Sequence, residues 1–140
     1  MMVSYNHPHL RFPRSETIKT VRNVLEGEKR KYHGIGVVFT NNTHMRRINK
    51  RFLHHDYDTD VIAFDLSDRT LGESELYINL DRARRQAREY HVSFSDETRR
   101  LLIHGTLHLL GYGDKNKVEQ KSMKLREDRY LALLTKRKGL

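Results

Sequence analysis

Apolar positions along the chain change their spacing several times, and each change marks an element. After Ser15-Glu16-Thr17, Ile18, Val21, Val24 and Leu25 recur at helical spacing, which predicts a helix over residues 15 to about 30. Gly34 and Gly36 interrupt that pattern, and Ile35–Thr40 (IGVVFT) reads as a buried strand. A cap at Asn42 or Thr43 then opens a second helix, with Met45, Ile48, Asn49 and Phe52 near one face. Residues 59–65 (TDVIAFD) and 75–80 (ELYINL) read as strands on either side of a polar turn, residues 66–72. Asp81 is read as the cap of a helix running to about Tyr90, and Ser95-Asp96-Glu97 as the start of another. A last helix, residues 117 to about 136, carries Met123, Arg126, Tyr130 and Leu134 along one stripe, read as core packing. Residues 1–14 hold both prolines and are expected to form an irregular arm or short edge strand, and residues 137–140 a frayed tail. The order predicts one α+β domain over residues 1–140, a small mixed sheet with helices packed on it.

Composition narrows the chemistry. The chain has no cysteine, so disulfides and thiolate ligands are excluded, and any metal must be held by His and carboxylates. No apolar run is long enough to span a bilayer, and residues 1–15 lack the apolar stretch of a signal peptide, so a cytoplasmic protein is expected. Mean hydropathy is −0.80 and the isoelectric point is near 9.9. A net charge of +9, from 27 basic against 18 acidic side chains, is the electrostatic footprint of a nucleic-acid partner. The excess is uneven, since residues 61–80 are locally acidic.

Two stretches carry candidate ligands. The first, HHDYDTD (residues 54–60), suggests a calcium loop, but starting it at Asp56 puts Val61 where glycine is needed and Ser67 where a bidentate Glu belongs. The EF-hand reading fails. The second is HGTLHLLGYGD, residues 104–114. His104 and His108 are four apart, so on a helix they project from one face. Gly111 can end that helix and turn the chain back, which brings Asp114 within reach as a third ligand. Two imidazoles and a carboxylate leave a coordination position open, as catalytic sites do. The plainer alternative is a core-facing helix with two satisfied imidazoles; the Gly and Asp at matching offsets count against it.

The spacing also matches that of a peptidase pattern, H-E-x-x-H-x-x-G-x-x-H. Peptidases need the Glu after the first His as general base, and here that position is Gly105. Peptide hydrolysis would need a base from elsewhere, with Asp58, Asp60 and Glu75 as candidates. A phosphodiester suits such a site better, because its charge is drawn to both the metal and a basic rim.

HGTLHLLGYGD resembles the H-G-x-L-H-L-x-G-Y-D-H signature of the YbeY family of rRNA maturation endoribonucleases, and DYDTDVIAFD resembles that family's T-D-V-L-S-F segment. The likeness extends over roughly residues 35–130 and includes EQKSMKLRED after the motif. It implies one catalytic metal ion, zinc, held by His104, His108 and Asp114. It also implies single-stranded RNA cleavage in 16S rRNA 3′-end maturation and ribosome quality control, with rRNA and the ribosome as partners. Two departures stand out. Asp114 occupies the position of a family His, and a two-His-one-carboxylate set also suits iron, manganese or nickel. Leu53 stands where the family has Arg, so the phosphate contact is sought among Arg51, His54, His55, Arg85 and Arg88. The competing readings are a non-catalytic RNA- or ribosome-binding module with a structural metal, and a zinc peptidase-like hydrolase.

Overall fold

The computed structural model describes residues 1–32, 34–65 and 74–135. The elements follow as β1 (Met2–Tyr5), α1 (Arg14–Gly27), β2 (Ile35–Thr40), α2 (Asn42–Leu53), β3 (Val61–Phe64), β4 (Ser74–Asn79), α3 (Leu80–Tyr90), α4 (Phe94–Leu109) and α5 (Lys117–Thr135). The sheet order is β1-β2-β4-β3. β1, β2 and β4 run parallel, with Val37 opposite Val3 and Leu76, whereas β3 pairs antiparallel with β4, Ile62 opposite Tyr77. The fold class is therefore the expected α+β arrangement with a mixed sheet. Of the two readings of the N-terminal arm, the short edge strand is the observed one. The predicted turn 66–72 and tail 137–140 lie outside the described residues.

Alternation along β2 and β4 divides the sheet's faces. Val37, Phe39, Leu76 and Ile78 are fully buried on the face covered by α1 and α4. Each such side chain contributes about 1.5–3 kcal/mol of burial. On the other face, Met45 and Ile48 of α2 pack over Ile62, with Phe64 and Tyr77 at the margin. α4 is the hub. Leu101, Leu102, Ile103, Leu107 and Leu109 bury most of its circumference against the sheet, α1, α3 and α5.

Three helices begin at residues other than those read from the sequence. Asn41 caps α2 by accepting from the His44 N–H at 2.9 Å, Asn79 caps α3 through the Arg82 N–H at 3.2 Å, and Ser93 caps α4 through the Asp96 N–H at 3.0 Å. Asp81 serves a tertiary purpose instead: it bonds buried His7 at 2.8 Å and accepts from the Asn42 N–H at 3.1 Å. Phe52 also departs from expectation. It is 56% exposed, with its ring against Phe64 of the edge strand at 5.7 Å, whereas Met45, Ile48 and Asn49 are buried. In the α5 stripe Met123, Tyr130 and Leu134 are core, while Arg126 pairs with Glu28 at 3.3 Å.

Candidate metal centre

The ligand cluster is built by the end of α4. His104 and His108 occupy the one stripe of this helix left facing outward, and both are half-buried. The helix closes with Leu110 as cap. The Gly111 N–H donates to His108 O at 3.0 Å and the Tyr112 N–H to Leu107 O at 3.1 Å. Those two bonds form a Schellman motif, which needs a left-handed residue, and Gly111 supplies it at φ +100°. The turn then returns Asp114 over the helix, where Gln120 holds its carbonyl at 3.1 Å.

His104 Nε2 lies 2.9 Å from His108 Nε2, and Asp114 Oδ2 lies 3.2 Å and 3.3 Å from the two nitrogens. All three ligand atoms fall within 4.8 Å of one another. Three lone-pair-bearing atoms turned to one point fit a divalent cation, and the donor set suits zinc as well as iron, manganese or nickel. The group is thus the predicted one, on a helix and its following turn.

A residue not singled out in the sequence completes it. Glu127 of α5, 8% exposed, places Oε2 2.6 Å from His104 Nδ1. That bond fixes the tautomer with the proton on Nδ1 and leaves the Nε2 lone pair for the metal. Glu127 in turn accepts from Arg100 at 3.2 Å, and Arg100 also reaches Asp128 at 3.2 Å. Burial alone would push the His104 imidazole down. Its hydrogen bond and charge contact with Glu127, helped by Asp60 and Asp114, outweigh burial and raise it. Metal binding at His104 therefore competes with a proton. Next in the chain of charges, Glu97 is fully buried, and burial holds its carboxyl above the ordinary range despite a 2.9 Å bond from Gln86.

Gly105 explains the missing peptidase glutamate. A Cβ here would stand 3.0 Å from both Leu76 Cδ2 and Val61 Cγ1, so α4 rests directly on the sheet at this point. Among the three bases considered for peptide hydrolysis, Asp58 is tied to Arg82 at 2.5 Å and Glu75 to the Tyr77 hydroxyl at 3.1 Å. Asp60 alone exerts its charge on His104. A groove of about 600 Å³ opens beside the cluster, lined by Tyr90, Arg100, His104, Asp114, Lys124 and Glu127.

The other predicted contacts are not drawn into the cluster. Arg51, His54 and His55 are exposed at the end of α2, with His54 in the left-handed conformation at φ 60° as its cap. Arg85 and Arg88 are exposed on α3, and Arg85 faces Glu89 at 3.7 Å.

An α+β fold whose hub helix and the turn after it bring two histidines and a carboxylate to one point, beside an open groove, defines a metal-site protein with room for a substrate. Residues 3–135 match the family Endoribonuclease YbeY. Similar proteins named Endoribonuclease YbeY include that of Chlorobium phaeovibrioides, 40% identical over 93% of this chain and 88% of the relative. That of Chloroherpeton thalassium is 40% identical over 87% and 86%. The solution structure of TM1509 from Thermotoga maritima shares the fold at TM-score 0.64 and 21% identity, covering 97% of this chain and 91% of that one. The chain belongs to the YbeY endoribonuclease family.

Proposed function

We propose that this protein is a metal-dependent endoribonuclease that cuts single-stranded RNA in rRNA maturation, at the 16S 3′ end, and in ribosome quality control. The observation that carries the reading is the convergence of His104, His108 and Asp114 in a chain of this family. A bound divalent ion, zinc first among the candidates, would supply Lewis-acid chemistry and an acidified water at neutral pH. His104, His108 and Asp114 hold the ion, and Glu127 orients His104. Arg100 and Lys124 line the groove but both face Asp128, at 3.2 Å and 3.6 Å, so a phosphodiester is drawn chiefly by the bound ion. Arg51, His54, His55, Arg85 and Arg88 contribute phosphate contacts on the flanks, which should weaken with salt. No helix among the described residues is long and apolar enough to cross a membrane, in keeping with a role at the ribosome in the cytoplasm.

A structural metal would be closed by four protein donors. Among the described residues the group has three, which favours the catalytic reading over a non-catalytic module. Labelled single-stranded rRNA fragments and their duplexes, incubated with and without chelator, test the proposal. Chelator-sensitive cleavage of the single strand is expected, and binding without cleavage would support the module instead. Mass spectrometry of protein purified without added metal names the ion, with zinc expected.

A further inference from the structure

The end of α2 and the adjoining edge strand carry an exposed aromatic surface that the metal centre does not use. Phe52 is 56% exposed, Tyr57 55% and Leu53 42%, although Phe52 shares a helix face with buried Met45, Ile48 and Asn49. The rings form a continuous row: Phe52 to Phe64 at 5.7 Å, Phe64 to Tyr77 at 5.9 Å and Tyr77 to His44 at 6.3 Å, each pair edge to face. In the loop that follows α2, the His55 and Tyr57 rings lie 5.3 Å apart.

The charge that α2 brings to this row has one sign, while Glu75 of β4 meets the Tyr77 hydroxyl at 3.1 Å. α2 carries Arg46, Arg47, Lys50 and Arg51 and no acidic residue. Arg46 is paired with Asp56 at 2.8 Å, which neutralises the nearest loop carboxylate, while the Arg51 guanidinium sits 5.3 Å from the Phe52 ring centroid. Asp58, the next loop carboxylate, is engaged by Arg82. Exposed rings rimmed by cations match a strand that offers flat bases and a charged backbone, and nothing in a duplex presents its base faces in this way.

The patch also has a fixed relation to the metal centre. Val61, the first residue of β3, lies against Gly105 beside His104, and Asp60 before it acts on His104 electrostatically. Phe64 is three residues further along the same edge strand, about 10 Å at the rise of a β-strand, and by alternation it faces the α2 side of the sheet while Val61 faces α4. An RNA strand that reaches both therefore turns around β3, the outer strand of the sheet. We propose that the Phe52–Phe64–Tyr57 surface is the stacking platform for bases of single-stranded RNA leading to the metal centre. The inference rests on the endoribonuclease reading and assigns its substrate a path around the free edge of β3.

The test is a titration of fluorescein-labelled 12-nucleotide oligouridine with the full protein as purified, at low temperature, the strand checked as intact on a gel afterwards. Replacing both Phe52→Ala and Tyr57→Ala should weaken binding at least about fivefold, the low end for loss of base–aromatic stacking, with an unchanged melting temperature. Phe52→Trp should retain the affinity. Fluorescence of a strand carrying 2-aminopurine should be quenched by the wild type and less so by the double variant, and a duplex should show no such difference. Affinity and quenching within twofold of wild type in a folded double variant would overturn the proposal. So would an unchanged RNA affinity accompanied by a change from dimer to monomer in sedimentation, which would make the patch a surface for a second copy. If the wild type binds through Phe52 yet never cuts RNA, the nuclease reading fails and the platform stands.

Discussion

The carboxylate of Glu127 lies 2.6 Å from His104 Nδ1, across the boundary between α5 and α4, and so decides which imidazole nitrogen is free for a metal. Glu127→Gln keeps the shape but weakens the charge-assisted bond. Metal affinity should fall about 10- to 100-fold, the usual cost of losing such a partner. A competition titration against a chromophoric zinc chelator measures it, and an unchanged affinity would show that His104 is oriented by something else.

Asp114 is the one carboxylate among the three candidate ligands, which makes it the place to alter metal preference. Asp114→His should keep the site loaded and shift its content toward zinc and away from manganese or iron. Asp114→Ala should lower occupancy more than Glu127→Gln does. Metal content after purification from the same medium separates these outcomes.

Glu28 ties the turn that carries Asp114 to the body of the protein. It accepts from the Tyr112 hydroxyl at 2.5 Å, from the Tyr130 hydroxyl and from Arg126 at 3.3 Å, and the Arg126 guanidinium lies 4.2 Å from the Tyr112 ring centroid. Burial alone would raise the Glu28 carboxyl, but the two tyrosines and Arg126 outweigh it and hold it low. A depressed carboxylate stabilises above its unfolded pKa, and that contribution disappears as pH falls through the folded value. Glu28→Gln should therefore be less stable than wild type at pH 7 by about 1–3 kcal/mol. The gap should narrow below the ordinary carboxylate value of 4.5 and vanish at lower pH. Urea melts across that range check it; a gap independent of pH would contradict it. On the alkaline side, burial and Glu28 push Tyr130 up to about 12, so its contribution is complete below pH 10 and lost as pH rises through 12.

Much of this arrangement was legible in the chain, and the parts that were not share a cause. The His pair, Gly111 and Asp114 lie within eleven residues, so local spacing and one helix terminus carry their geometry. The strand Ile35–Thr40 was readable because its apolar run is bounded by glycine and asparagine. Glu127 was hidden because it meets His104 from another helix, 23 residues away. Asp81 looked like a cap by residue type, yet His7, 74 positions earlier, takes its carboxylate. Phe52 fits the helical period of α2 with Met45, Ile48 and Asn49, yet it is exposed where they are buried. Tertiary placement decides each of these cases.

Gly105 is the position where the nuclease and peptidase patterns part, and packing makes the difference firm. Gly105→Ala must move Leu76 and Val61 from a 3.0 Å approach. Overpacking of this kind costs about 1–3 kcal/mol, against a gain near 1 kcal/mol from helix propensity. A net loss of about 1 kcal/mol is expected, read as a lower urea midpoint. Gly105→Glu should be far worse and yield no peptidase activity on casein; a stable, casein-cleaving variant would refute the packing account.

The central claim is that His104, His108 and Asp114 hold the metal that cuts RNA. Its most direct test is His108→Ala, with bound metal and cleavage of labelled single-stranded rRNA measured on the same preparation beside wild type. Loss of both metal and cleavage in a folded variant is the predicted result. Wild-type cleavage by metal-free His108→Ala protein would contradict it.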